Sequence, residues 1–295
     1  MRKPQTSVTR LIILGLAFLY VNQNSDATQN KSYANPLKSA ITPSTESSPA
    51  SGKDAHQKEM DKIVRAIEAG DIDEVKEAIA ATPDLVNTKN RKGYSLLGYA
   101  IKCNQKGIVE LLLHNGSNIN DTDRSGNPLL FIPILFPSNS DDMNSMLKLL
   151  IADGADIKQT DKSKRSILHY VSSLSTNTIS LLIANGADVN AKDAFESTPL
   201  HIIAGSTAEL EGRNNIEVAR MLLKNGADIN AKENQREYTP LQTATASNYK
   251  NMVVFLIEQG ADLNAKDKKG RTPYALAIEE QYSEIVKLLE EKGAK

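Results

Sequence analysis

Leu181-Leu182-Ile183-Ala184-Asn185-Gly186-Ala187-Asp188-Val189-Asn190-Ala191-Lys192-Asp193 has near-copies at Leu222–Lys232 and at Phe255–Asp267. Self-similarity of this kind marks a structural repeat, so the chain is read as an array and the stretch itself serves as a ruler. Taking the final Asn of Gly-Ala-Asp-x-Asn as the mark, the equivalent positions are Asn87, Asn120, Lys158, Asn190, Asn230 and Asn264. The steps between them are 33, 38, 32, 40 and 34 residues.

Each part of the unit has a physical reading. Thr198, Thr239 and Thr272 each precede a proline, so a hydroxyl can cap a short helix whose first residue needs no amide donor. A second helix follows, as in Ile216-Glu217-Val218-Ala219-Arg220-Met221-Leu222-Leu223, with apolar residues at helical spacing. Gly186, Gly226 and Gly260 end these helices where a left-handed conformation is required. The turns Asp123-Arg124-Ser125-Gly126 and Asp267-Lys268-Lys269-Gly270 then lead to the next pair. Neither helix can bury its apolar stripe alone, so neighbouring pairs must stack.

Thr198-Pro199-Leu200-His201, Thr239-Pro240-Leu241 and Thr272-Pro273, at a period near 33, make residues 60–295 resemble the ankyrin-repeat family. The resemblance implies an all-α ankyrin-repeat solenoid of about seven stacked helix pairs with short β-hairpin fingers. Second helices are expected near Asp73, Lys106, Asp142, Thr178, Asn215, Asn251 and Ser283, with the first pair beginning near Met60 and the last ending at Gly293. It also implies a protein partner bound through the fingers and the first-helix surface, by a monomer that uses no cofactor.

Arg2, Lys3 and Arg10 precede the apolar run Leu11–Val21, and Ser25-Asp26-Ala27 has the small-x-small form of a cleavage site. Eleven apolar residues fall short of the about 20 that span a bilayer, so residues 1–27 read as a signal peptide cleaved after Ala27. An uncleaved membrane anchor is the alternative. Residues 28–59 hold few large apolar side chains and read as a flexible Ser/Thr/Pro-rich linker. The chain is therefore expected in the periplasm or outside the cell, and its Lys/Asn/Ile-rich usage resembles bacterial proteins. With 35 basic and 36 acidic residues the bulk charge does not point to nucleic acid. Cys103 is the single cysteine, which rules out an intrachain disulfide and suggests a small buried core residue.

Departures from the repeat carry the functional expectations, because the scaffold does not require them. The third pair is too long and contains Leu129-Leu130-Phe131-Ile132-Pro133-Ile134-Leu135-Phe136-Pro137, in which Pro133 should shorten or kink the first helix. The fifth pair carries an insertion, Ser206–Arg213. Phe131 and Phe136 are either an exposed partner-binding patch or residues packed beneath the longer loop. The finger tips hold Arg91, Lys92, Arg124, Lys162, Lys164, Arg165, Arg236, Lys268, Lys269 and Arg271, opposed within the tips by Glu196 and Glu237. They form either a basic ridge that steers an acidic partner or a solvated, turn-rich edge. Tyr94, Phe195 and Tyr238 add aromatic anchors at positions where the family varies its contacts. Lys164 and Glu196 replace the turn glycine, so those two fingers are expected to bend differently.

No His-Glu-x-x-His, Gly-x-Ser-x-Gly, phosphate-binding loop or dinucleotide fingerprint is present. His169 and His201 stand one repeat apart at the family's Thr-Pro-Leu-His position, where the imidazole is a structural hydrogen-bonding residue. The reading is an exported, non-enzymatic scaffold for protein–protein interaction. The alternatives are a ligand receptor or enzyme built on the long third and fifth pairs, or a host-directed secreted effector.

Overall fold

The computed structural model describes residues 52–90, 93–207 and 214–294, with side chains from residue 57 onward. The expected signal peptide, most of the expected linker, Arg91, Lys92 and most of the fifth-pair insertion lie outside the described residues.

Helices α1 (Gly52–Ala69) and α2 (Ile72–Ala81) pack as a pair, followed by α3 (Leu96–Lys102) with α4 (Lys106–His114). Next come α5 (Ile132–Leu135) with α6 (Ser140–Ala152), and a 3-10 turn at Ile167–Ser173 with α7 (Thr176–Ala184). The remaining pairs are α8 (Pro199–Gly205) with α9 (Asn215–Lys224), α10 (Pro240–Ala246) with α11 (Lys250–Glu258), and α12 (Pro273–Glu279) with α13 (Ser283–Glu291). First helices stack on first helices, as α8 on α10 and α10 on α12, and α9, α11 and α13 stack likewise. The architecture is an all-α repeat solenoid.

Second helices start within two residues of their expected positions, because their caps are local. Asp71 and Asn139 accept the amides of Glu74 and Asp142, and Asn214 accepts that of Ile216. Each such cap stabilises its helix by about 1 kcal/mol. The first helix departs from expectation. It begins at Gly52, eight residues before Met60 and inside the stretch assigned to the linker. Pro133 acts as expected: the first helix of the third pair is a 3-10 turn, Leu129–Phe131, followed by the four residues of α5.

The main core cluster runs from Met60 to Ala294 through every repeat, with Leu112, Leu147, Leu182, Leu222 and Leu256 fully buried, and Tyr238, Ala246 and Leu276 form a small second cluster. Each buried Leu contributes about 1.5–3 kcal/mol through apolar area removed from water. Two polar ladders tie successive repeats together beside it. In the first, Asn87, Asn120, Asn190 and Asn230 accept the amides of Asn118, Asp156, Asp228 and Asp262 at 2.8–2.9 Å. Asn190 also donates to the carbonyl of Gly226, the glycine (φ 90°) that ends the next repeat's second helix. In the second ladder His169, His201 and Gln242 bond the carbonyls of Ser197, Tyr238 and Arg271 at 2.9–3.0 Å.

Fingers join the pairs. Three carry one isolated antiparallel bridge each, Lys89–Ser95, Thr122–Pro128 and Thr160–Ser166, and the described residues contain no longer strand pairing. The expected hairpins therefore reduce to tight turns. Lys164 and Glu196 do not bend their fingers differently. Both take φ 58°, in the same left-handed region as Gly93, Gly126 and Gly270, and close the same turn onto Asp161 and Asp193.

Lys158 stands at the ruler position and has no side-chain carbonyl to offer the amide of Asp188. Lys158→Asn should supply the missing rung and stabilise the array by about 1 kcal/mol, the net worth of one hydrogen bond. Urea unfolding midpoints of the two proteins check this, and Asn230→Lys should shift the midpoint the other way.

Candidate protein-binding surface

Finger geometry rests on one carboxylate per turn. Asp161 Oδ1 accepts the amides of Ser163 and Arg165, while Oδ2 accepts Arg165 Nε and the Tyr170 hydroxyl. Asp267 does the same for Lys269 and Arg271. Burial works to raise the Asp267 pKa, but the backbone and side-chain donors of Arg271 hold it below the ordinary carboxylate value. Asp193 accepts the amides of Phe195 and Ser197, and Glu233 takes this part in the finger before α10. These acids are consumed by their own turns.

That accounting separates the expected site residues. Arg165 and Arg271 are held by Asp161 and Asp267 at 2.7 Å, and Arg271 also reaches Glu279 and the Tyr238 hydroxyl. Both are structural parts of their fingers. Arg236 is half-buried over the Tyr238 ring, 5.5 Å from its centroid. Arg124, Lys162, Lys164, Lys268 and Lys269 are exposed. The single expected ridge is interrupted in its middle, where Lys192 pairs with Glu196 at 2.9 Å and Lys232 with Glu237 at 3.8 Å.

The aromatics divide in the same way. Phe131 is fully buried, its ring edge-on to Tyr170 at 5.8 Å, because the 3-10 turn rotates it into the core. Tyr238 is 6 % exposed, since the residue just before a helix cap faces the next repeat. Neither is available to a partner. Phe136, at the end of α5, is 40 % exposed and Phe195, at a finger tip, is 45 % exposed. Ile72 and Ile278 are the other large apolar residues exposed to this degree among the described residues.

Tyr94, Lys102 and Phe136 come together although they belong to a finger and to two successive first helices. The Lys102 ammonium lies 5.0 Å from the Tyr94 ring centroid and 4.8 Å from that of Phe136. Tyr94 packs edge-on to Tyr99, whose hydroxyl donates to Glu68. Burial, then that hydrogen bond, push the Tyr99 pKa well above the usual phenol value. The result is a braced cation–aromatic platform on the first-helix surface. Sequence reasoning missed Lys102; the available signal was its place at the end of a first helix, one repeat before Phe136.

The histidines serve the scaffold. His169 Nδ1 accepts the amide of Ser166, so Nε2 carries the proton donated to Ser197. His201 repeats this between Thr198 and Tyr238. Among the described residues no group of three or more His, Cys, Asp and Glu converges as a metal site. A shallow cleft of about 270 Å³ lies beside the end of α4, lined by Glu110, His114, Ser117 and Asp153 among others. The Ser117 hydroxyl makes no hydrogen bond there, so His114 does not activate it as a nucleophile. Cys103 is half-buried rather than fully buried, packed against the edge of the core.

A family model of three ankyrin-repeat copies matches residues 138–233 and 210–295, and a single ankyrin-repeat model matches residues 92–124. No curated protein matches the chain.

Burial is the main cause that lowers the pKa of both His169 and His201, outweighing the carbonyl each one bonds. Protonation therefore favours the unfolded chain. Their contribution to stability is complete above the unfolded value of about 6.5 and is lost as pH falls below it toward the lowered folded values. Gln242 makes the same two kinds of bond without titrating, accepting the Thr239 amide and donating to Arg271. His169→Gln with His201→Gln should keep the fold at pH 7.5 and reduce the loss of urea midpoint between pH 7.5 and 5.5.

Proposed function

The chain belongs to the ankyrin-repeat family, and on that premise we propose that it is an exported, non-enzymatic scaffold that binds another protein through its fingers and first-helix surface. Ankyrin repeats typically mediate protein–protein interaction, and proteins built from them are usually binding scaffolds rather than catalysts. The observation that carries the reading is a division of labour. Finger carboxylates, capping hydroxyls and ladder histidines are all occupied internally, whereas Phe136, Phe195 and the cations Arg124, Lys162 and Lys164 face solvent. Exposed aromatics beside charge are typical interface anchors.

Export rests on Arg2, Lys3 and Arg10 before Leu11–Val21 and on the Ser25-Asp26-Ala27 site. The mature chain begins at Thr28, and the array is monomeric in the periplasm or outside a bacterial cell. No helix among the described residues is long and apolar enough to cross a membrane.

One experiment tests both parts. The full chain with a C-terminal tag is crosslinked in its native host, captured and analysed by mass spectrometry, beside a Tyr94→Ala, Phe136→Ala variant. The expected result is a mature N-terminus at Thr28 and a captured protein that the variant loses at least about tenfold, the effect of removing one hot spot worth 1.4 kcal/mol or more. An identical partner set for both proteins removes the surface, and an intact Met1 removes the export reading.

A further inference from the structure

We propose that the two fingers carrying Arg124, Lys162 and Lys164, with the Tyr94–Lys102–Phe136 platform, take an extended acidic segment of the protein partner. The proposal rests on the protein-binding reading and assigns the partner's chemistry.

Charge is the first argument. Asp123 spends its two oxygens on the amide and side chain of Asn127, and Asp161 spends its own on Ser163, Arg165 and Tyr170. Among the described residues Arg124, Lys162 and Lys164 make no ion pair. The next two fingers differ, since Lys192 and Lys232 are matched by Glu196 and Glu237. Uncompensated positive charge thus stands at Arg124, Lys162 and Lys164, as it does at Lys268 and Lys269 of the last finger, but only the former lie on the fingers that directly follow that of Tyr94, on a chain whose formal net charge is −1.

Preorganisation is the second. A Cβ built on Gly93 falls 2.7 Å from Arg124 Cβ, and one on Gly126 falls 2.5 Å from Lys162 Cε. The stems of Arg124 and Lys162 therefore lie against the glycine of the preceding finger. Cations restrained in this way lose less side-chain entropy on binding. Lys102, held between two aromatic rings, adds a third restrained cation, and Phe136 beside it offers apolar area.

Spacing is the third. Packed helical layers repeat at about 10 Å, and an extended segment in the polyproline II conformation rises about 3.1 Å per residue with three residues per turn, so every third side chain shares one face. Every third residue of an extended segment lying along the fingers meets a new finger. Acidic residues at every third position match Arg124 and Lys162 in turn, and a helix with its 1.5 Å rise would need about seven residues to cover the same step.

The test is fluorescence polarisation of the full chain with a labelled peptide carrying Glu at every third position, beside its Gln counterpart. The Glu peptide should bind at least about tenfold tighter than the Gln peptide and weaken as salt rises. The combined change Arg124→Glu, Lys162→Glu, Lys164→Glu should abolish that preference, whereas Lys268→Glu with Lys269→Glu at the last finger should alter affinity less than about threefold. Urea midpoints near the wild-type value establish that both variants fold, and Phe136→Ala gives a charge-neutral third variant expected to weaken the Glu peptide. Equal binding of the two peptides, equal loss in the two charge-reversed variants, or displacement by an equimolar single-stranded oligonucleotide overturns the proposal. If the peptide fails while Tyr94→Ala, Phe136→Ala still loses the crosslinked partner, only the acidic assignment falls. Loss of neither binder overturns the protein-binding surface as well.

Discussion

A side chain at the third position of a first helix holds the middle of this array in register. His169, His201 and Gln242 each accept the amide of their own cap residue and reach the carbonyl that precedes the next repeat's cap. One group thus closes a helix start and fixes the distance to the following one. The carbonyls it takes belong to Ser197, Tyr238 and Arg271, which also accept the amides of Asp193, Glu233 and Asp267 within their own fingers, and each added bond contributes about 1 kcal/mol. Asn87, Asn120, Asn190 and Asn230 do the matching work at the other end of the second helices. Between the two ladders the apolar core can be generic, because register is set by polar groups with one geometry.

Fixing the register in this way frees the fingers. Their carboxylates keep the turns tight, so a tip can carry Arg124, Lys162, Phe195 or Lys268 with no change in the scaffold. In the later fingers the turns also bond one another directly, Ala194 to Ser163, Asn234 to Phe195 and Lys268 to Arg236 at 2.8–2.9 Å. These are the fingers in which Lys164, Glu196 and Glu237 hold φ 58°. Non-glycine residues in that region carry strain of about 1–3 kcal/mol each, which the direct backbone bonds between fingers offset. Where glycine is kept, at Gly93 and Gly126, the next finger's cationic stem occupies the space instead.

Fold and periodicity were legible because their determinants are local. The Gly-Ala-Asp-x-Asn ruler fixed where second helices end, and the cap residues fixed where most begin. The start of α1 was not legible, because Gly52–His56 show no apolar periodicity. The site was only partly legible. Residue type alone placed Tyr238 with Phe195, whereas register separates them: Tyr238 precedes a cap and is buried, and Phe195 sits at a tip. Arg165 and Arg271 look like Lys162 and Lys268 in sequence, but their place four residues after the finger aspartate commits them to it. The Lys102 platform depends on contacts between repeats that no linear spacing displays.

Repeated positions build the array, while its departures in the first half of the chain bind the partner. Hydrogen–deuterium exchange of the full chain, free and saturated with the crosslinking partner, tests it most directly. The account predicts new protection in the turns at 93–95, 122–126 and 160–165 and at 135–139, with little change along α4, α7 and α9. Protection confined to those second helices, or to the last finger at 267–271, would contradict it.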